Sequence, residues 1–289
     1  MATEFILTIK DEAEDYALNV SQQVFDLIDV LEMKLSRFIP DSDISRINRM
    51  KAGEQLAIDF ETWEVITKSI NLTALSHGAF DIGVAKHMDI FRATKERILT
   101  EFEMSRALEK VQLDKQKAKL FVDPDKPMIY CVEPGMCFDL GGIGKGYALD
   151  QTQKLLDELE VGTYSLSAGE STVLFKNDEE VLPFWTYPIS NKSEQKELHL
   201  SNIIVSASGT YFQGNHIFDP RTGKNDFVPD KDRVWVASTD TSYSDAFSTA
   251  FFLLSVEEIE EIIGHNEKII WAAYSKDGVL NFVPENDIY

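Results

Sequence analysis

The chain is poor in cysteine. Its two, Cys131 and Cys137, form a single C-x5-C pair. A structural zinc site needs four ligands, usually in two such pairs, so this class is excluded. Both thiols fall in or beside expected strands and read as buried and free, which suits a reducing compartment. Positive charge is also scarce. Against 49 acids stand 28 lysines and arginines, giving a net charge of -21. A duplex nucleic-acid partner needs a basic surface, so nucleic acid is excluded. The acidity serves solubility or docking to a basic partner. No apolar run approaches the ~20 residues of a membrane span. The opening stretch "MATEFILTIKDEAED" lacks the basic and apolar regions of a signal peptide. The expectation is a soluble, cytoplasmic protein with no membrane span. Internal repeats and low-complexity segments are absent from the sequence too.

Hydrophobic residues make up 44% of 289 positions, enough for a sizeable core in one large domain or two small ones. Residues 4–10 read as a strand and 13–37 as an amphipathic helix, with Val20, Val24, Leu27, Leu31 and Leu35 on one face. A short helix follows in "PDSDISRIN", with Ser42 as candidate cap. Further helices are expected over 61–77 and from a Thr100/Glu103 capping box to about 112. Strands are expected at 118–122, 127–132 and 136–139, then a helix to about 160. The second half is strand-rich, interrupted by "DAFSTAFFLLS" and "VEEIEEIIG" as helices. The polar stretch 189–197 reads as an exposed turn. This pattern is α+β with a substantial mixed or antiparallel sheet flanked by helices, not regular β-α-β alternation.

The stretch "DLGGIGKGYALDQ", 139–151, places four glycines between an expected strand and a helix. Glycines beside a helix start allow a phosphate to approach backbone N–H groups. The P-loop pattern fails here, because Gly146 follows Lys145 and Asp139 opens the stretch; the dinucleotide fingerprint fails on spacing. The loop is therefore either a tight structural turn or a nucleotide contact. In the second case Asp139 would accept hydrogen bonds from a ring and Lys145 would face a phosphate.

Other stretches carry the same two readings. In "GAFDIG", Phe80 is either a ring platform in an exposed turn or a core residue. In "HIFDPRTGK", His216 suits acid–base work near neutral pH, or is a structural histidine before a Pro turn. In "YSDAFSTAFFLL", Asp245, Ser248 and Thr249 share a helix face at i, i+3 and i+4. They can hold a hard cation such as Mg²⁺, with a phosphate at the helix start. Alternatively, Asp245 is simply the helix N-cap.

Taken in order along the chain, these blocks resemble the ApbE-type flavin transferases. "MAT", "LSRFIPDSDISRIN", "GAFD", "DLGGIGKGYALD", "HIFDPRTG" and "DAFSTA" each match a family block. Six ordered blocks are far more specific than any one. The resemblance implies a single ApbE-like, T-fold-related domain over 1–289. It implies transfer of FMN from FAD to a threonine or serine hydroxyl of another flavoprotein, with release of AMP and dependence on Mg²⁺. The alternatives are hydrolysis of FAD to FMN and AMP, or FAD binding without catalysis.

By the same resemblance Met1, Phe38, Ala79, Phe80, Asp81, Asp139, Lys145 and Ile217 would contact FAD. Asp245, Ser248, Thr249 and a backbone oxygen near Gly142 would hold the metal, and His216 would serve as base. The partner would carry an acceptor site like D-x-x-[ST]-G-A-[ST], a signature absent from this chain. The chain departs from the family pattern where Phe38 stands for tyrosine and where "SLSAGES" replaces an N-x-G-G-D block.

Overall fold

The structure, a computed structural model, describes residues 3–169, 171–177, 185–190, 195–209, 218–223 and 230–284. In chain order the elements are β1(Phe5–Lys10), α1(Glu14–Leu35), α2(Asp43–Asn48), β2(Gln55–Ala57), α3(Phe60–Leu75), α4(Ala85–Lys95), α5(Glu101–Lys117), β3(Lys119–Val122), β4(Met128–Glu133) and α6(Gly144–Glu158). Then come β5(Thr163–Ala168), β6(Thr172–Lys176), β7(Trp185–Ser190), β8(Gln195–Leu200), β9(Ile203–Gly209), β10(Arg233–Ser238), α7(Thr241–Ala250), α8(Val256–Gly264), β11(Ile269–Lys276) and β12(Val279–Val283). The chain forms two compact units. The first holds Met1–Asp29, Ile143–Gly214 and Pro229–Tyr289, and the second Val30–Gly142 and Asn215–Val228.

The first unit is built on a seven-stranded sheet in the order β1-β5-β6-β9-β10-β11-β12. Every neighbouring pair in it is antiparallel. Strand side chains alternate between faces, and both faces of this sheet are covered. On one, Val20, Val24 and Ile28 of α1 pack with Leu156 of α6 over Tyr164, Leu174 and Ile204. On the other, Ile189, Leu198 and Leu200 of the β7–β8 hairpin pack on Val205, Trp235, Ala237 and Trp271. The alternation fixes what β9 shows to the helices. Ile203, Val205 and Ala207 turn to the hairpin side, so Ile204, Ser206 and Ser208 turn to the helical side. That row begins apolar and ends in hydroxyls.

The second unit holds a three-stranded antiparallel sheet, β2-β4-β3, with α2 to α5. The expected caps are present: Ser42 accepts from the Ser45 N–H, and Thr100 and Glu103 form a reciprocal capping box. Two expectations change. Residues 136–139 form no strand. Their backbone groups pair instead with the side chain of Asn48, which accepts from Phe138 N–H at 2.6 Å and donates to Phe138 O at 2.9 Å. They also pair with the 82–85 segment, through Asp139 N–H to Ile82 O and Ala85 N–H to Cys137 O. The helix α4 was not expected, because its buried stripe of Ala85, His87 and Phe91 contains a histidine that reads as polar.

The helix expected over "DAFSTAFFLLS" runs instead from Thr241 to Ala250, a turn earlier at its start. It is buried nearly all round, and it crosses α6 closely at Gly146. A Cβ added there would lie 2.3 Å from the Thr241 carbonyl oxygen and 2.9 Å from the Asp245 Cβ. Only glycine permits that approach. Gly146→Ala is expected to lower stability by about 1–3 kcal/mol through overpacking, read as a lower midpoint in urea unfolding. An unchanged midpoint would mean that the crossing is loose enough to open.

Candidate functional site

Two carboxylates fasten α6 to α7. The helix α6 has no side-chain cap at its own N-cap residue, Ile143. Asp245 of α7 fills that role: its Oδ2 accepts the Gly146 N–H at 3.1 Å. In return Asp150 of α6 caps α7, accepting the N–H groups of Thr241 at 2.8 Å and Ser242 at 3.3 Å and the hydroxyls of both. The N-cap residue just before α7, Asp240, accepts from the Tyr243 N–H. Two expectations are corrected here. Asp245 is not the cap of its own helix, and the start of α7 does not offer its N–H groups to a phosphate, since Asp150 already occupies them.

Asp245 is 5% exposed at its side chain. Its charge is met by Lys145 Nζ, at 3.2 and 3.4 Å from the two carboxylate oxygens. Thr172 of β6 also donates to Oδ1 at 3.5 Å, and Ser206 donates to Thr172 at 3.0 Å. One turn along α7, Ser248 donates to the Asp245 carbonyl at 2.9 Å. Ser208 of β9 lies 2.8 Å from Ser248 Oγ and 3.2 Å from Thr249 Oγ1. The structure thus brings Lys145, Asp245, Ser248 and Thr249 together. It adds Thr172, Ser206 and Ser208 from the sheet and Asp150 from α6. Ser206 and Ser208 had a signal in "NIIVSAS": two polar residues at period two in an otherwise buried strand.

This donor set is all oxygen, with one carboxylate and several hydroxyls. Hard cations take such ligands. Among the described residues no group of three or more His, Cys, Asp or Glu forms a metal cage. A site with one carboxylate suits Mg²⁺, which is held by one or two carboxylates with substrate phosphates completing the shell.

In the second unit, Asp139 and the Ala79-Phe80-Asp81 turn are neighbours, joined by the Asp139 N–H to Ile82 O bond of 2.7 Å. Asp139 is not at a strand end. Its carboxylate accepts Arg37 Nε at 2.6 Å and the Gly141 N–H at 2.8 Å. Arg37 also reaches Asp89 at 2.9 Å and lies 4.4 Å over the Phe38 ring, with Arg92 at 4.9 Å. Phe38 is 61% exposed, whereas Phe80 is 5% exposed. The expected exposed aromatic platform is therefore Phe38, and Phe80 is a core residue. Ala79 is buried as well, so that turn presents backbone and Asp81. Asp81 accepts Lys115 Nζ and the Gly83 N–H, each at 2.6 Å. Gly142 closes this unit's share of the glycine stretch. Arg37 sits beside Phe38 in sequence, which was the signal for it. Met1, His216 and Ile217 lie outside the described residues.

His87 and the two cysteines titrate away from their ordinary values. Burial, and then the charge of Lys115, pushes His87 below the usual histidine range of about 6.5. Its ring stacks on Phe218 at 5.2 Å and pairs with Gln112 at 3.0 Å. Burial raises both cysteine thiols; at Cys131 the carboxylates of Glu54 and Glu133 add to the effect, and at Cys137 the charge of Lys86 opposes it without reversing it. Neither is a thiolate nucleophile at neutral pH.

Fold and site together define an α+β protein with a carboxylate–hydroxyl cluster held by two helices that cap each other. Residues 1–272 match the sequence profile of the ApbE family, and the chain belongs to that family. It is 23% identical over 268 residues to the FAD:protein FMN transferase of Klebsiella pneumoniae (strain 342), covering 88% of this chain and 75% of that one. It is 24% identical over 272 residues to the FAD:protein FMN transferase of Haemophilus influenzae, covering 84% and 75%. Among solved structures it superposes on the flavin transferase ApbE from Vibrio cholerae with a TM-score of 0.79, covering 98% of this chain and 93% of that one at 19% identity. That likeness is one of fold.

Two predictions come from this geometry. Asp245→Asn keeps an acceptor for Gly146 but removes the charge opposite Lys145. It is expected to cost about 1.5–3 kcal/mol, the range of charge-assisted bonds, in urea unfolding at neutral pH; no change would mean that the pair contributes nothing. For His87, the unfolded chain takes up a proton near pH 6.5 while the folded site resists it. Its contribution is thus intact above about 6.5 and lost as pH falls towards the lower folded value. Unfolding free energies measured from pH 7.5 to 5 should fall less steeply in His87→Leu than in the parent. Equal slopes would show that His87 is not held neutral.

Proposed function

We propose that the protein is a Mg²⁺-dependent FAD:protein FMN transferase, acting as one flavin transferase domain over 1–289. The observation that carries this reading is the cluster of Lys145, Asp245, Ser248 and Thr249. One buried carboxylate, hydroxyl oxygens and an ammonium together suit a cation and the phosphates it accompanies. Family membership and the names of the relatives point the same way.

In this reading the acceptor's threonine or serine hydroxyl oxygen attacks the phosphorus on the FMN side of the FAD pyrophosphate. A new P–O bond forms, the bond to the bridging oxygen breaks, and AMP leaves with that oxygen. Lys145 bears on phosphate charge as a point charge. Asp245, Ser248 and Thr249 would hold Mg²⁺, which when bound would neutralise pyrophosphate charge. Asp139, fixed by Arg37 and Gly141, keeps lone pairs for flavin or base N–H groups. Phe38 offers a ring face, Asp81 and the turn before it contact FAD, and Met1 and Ile217 would be further FAD contacts. His216 takes the hydroxyl proton. The acceptor is a flavoprotein with a D-x-x-[ST]-G-A-[ST]-like segment.

The test is incubation with FAD and Mg²⁺, with and without a protein bearing that segment, read by mass spectrometry. The expected result is an FMN adduct on the acceptor, with AMP formed only in its presence. AMP without acceptor would show hydrolysis, and neither product would show binding alone. Lys145→Ala is expected to weaken FAD binding by about 1.5–3 kcal/mol, measured by calorimetry. An unchanged dissociation constant would return the glycine stretch to a purely structural role.

A further inference from the structure

We propose that Ser208 of β9 is a residue of the cation site, setting the hydroxyls of Ser248 and Thr249 so that lone pairs, not protons, face the ligand. This rests on the divalent-cation part of the proposed function. The argument is a count of protons. A serine or threonine hydroxyl has one proton to donate and two lone pairs to offer. Ser248 spends its proton on the Asp245 carbonyl, 2.9 Å away, which can only accept. In the 2.8 Å contact between Ser208 and Ser248, Ser208 must then be the donor. With that proton spent, the 3.2 Å contact between Ser208 and Thr249 must be donated by Thr249.

One direction of donation runs through the group: Thr249 to Ser208, Ser208 to Ser248, Ser248 to the helix carbonyl. All three protons are consumed inside the cluster. Thr249 keeps both lone pairs, and Ser208 and Ser248 keep one each. At these three hydroxyls a ligand meets acceptors only, with the Asp245 carboxylate and its Lys145 partner beside them. A hard cation would meet oxygen there, and the charge of an accompanying phosphate would be met by Lys145 instead. Ser208 is the pivot, because it both receives and gives. Its position follows from the strand: it lies on the helical side of β9, two residues beyond Ser206, under the turn of α7 that carries Ser248 and Thr249. Without it the Thr249 proton is free to turn outwards, and Ser248 loses its donor.

The experiment titrates Mn²⁺ into the full chain at saturating FAD without acceptor, following free Mn²⁺ by electron paramagnetic resonance. Ser208→Ala is expected to weaken Mn²⁺ binding by about tenfold, as loss of a group orienting metal ligands does. Ser208→Thr, which keeps the hydroxyl, is expected to restore most of the affinity. Ser244→Ala is the structural control: Ser244 is a buried α7 hydroxyl that donates to the Val236 carbonyl at 2.9 Å, outside the cluster. It should lower the melting temperature and leave Mn²⁺ affinity unchanged. If Ser208→Ala melts lower but binds Mn²⁺ like the parent, Ser208 only packs α7 on the sheet and the inference falls alone. If the parent itself binds no Mn²⁺, the cation reading falls and takes this inference with it.

Discussion

The exchange of carboxylates between α6 and α7 is the constraint on which the first unit depends. Each helix begins without enough partners for its first-turn N–H groups, and each receives them from an aspartate of the other. Helix starts carry partial positive charge, so a carboxylate there is favourable twice, as acceptor and as charge. The close crossing at Gly146 makes the exchange possible by bringing backbone to within reach of a short side chain. Asp245 therefore cannot be moved without disturbing the start of α6, where Lys145 stands. The residues with the chemistry of the site are also the residues that set its geometry.

Burying Asp245 in that position has a cost. An isolated buried carboxylate is strongly unfavourable, and the structure offsets it with an ammonium, an amide N–H and a hydroxyl. The hydroxyl is itself backed by Ser206. Such a network explains why the helical side of the sheet changes from Ile204 to serines along β9. Where α1 and α6 lie the packing is apolar; under α7 it gives way to hydroxyls, because a polar group buried there needs partners.

What was legible in the sequence was local. Ser42 and the Thr100/Glu103 pair cap their own helices from three residues away, so spacing alone identified them. The i, i+3, i+4 face of α7 was legible for the same reason. The reciprocal caps were not, because Asp150 and Thr241 are 91 residues apart in sequence. Nothing in the spacing of either stretch says which helix an aspartate will serve. The false strand at 136–139 has the same origin. Its backbone groups are satisfied, but by an asparagine from α2 in place of a neighbouring strand. The sequence left Phe80 as either ring platform or core residue, and it is core, because burial of an aromatic depends on what packs over it and a short motif does not carry that.

The mutual capping has a consequence for motion as well as for stability. The amide protons at the start of one helix are protected by a side chain that belongs to the other. Fraying the first turn of α7 strips Asp150 of α6 of its partners Thr241 and Ser242, and shifting Asp245 exposes the Gly146 amide. Regions that share their protection in this way open together as one cooperative unit. Solvent exchange at the two helix starts is thus a single event, although Asp150 and Thr241 are 91 residues apart in sequence.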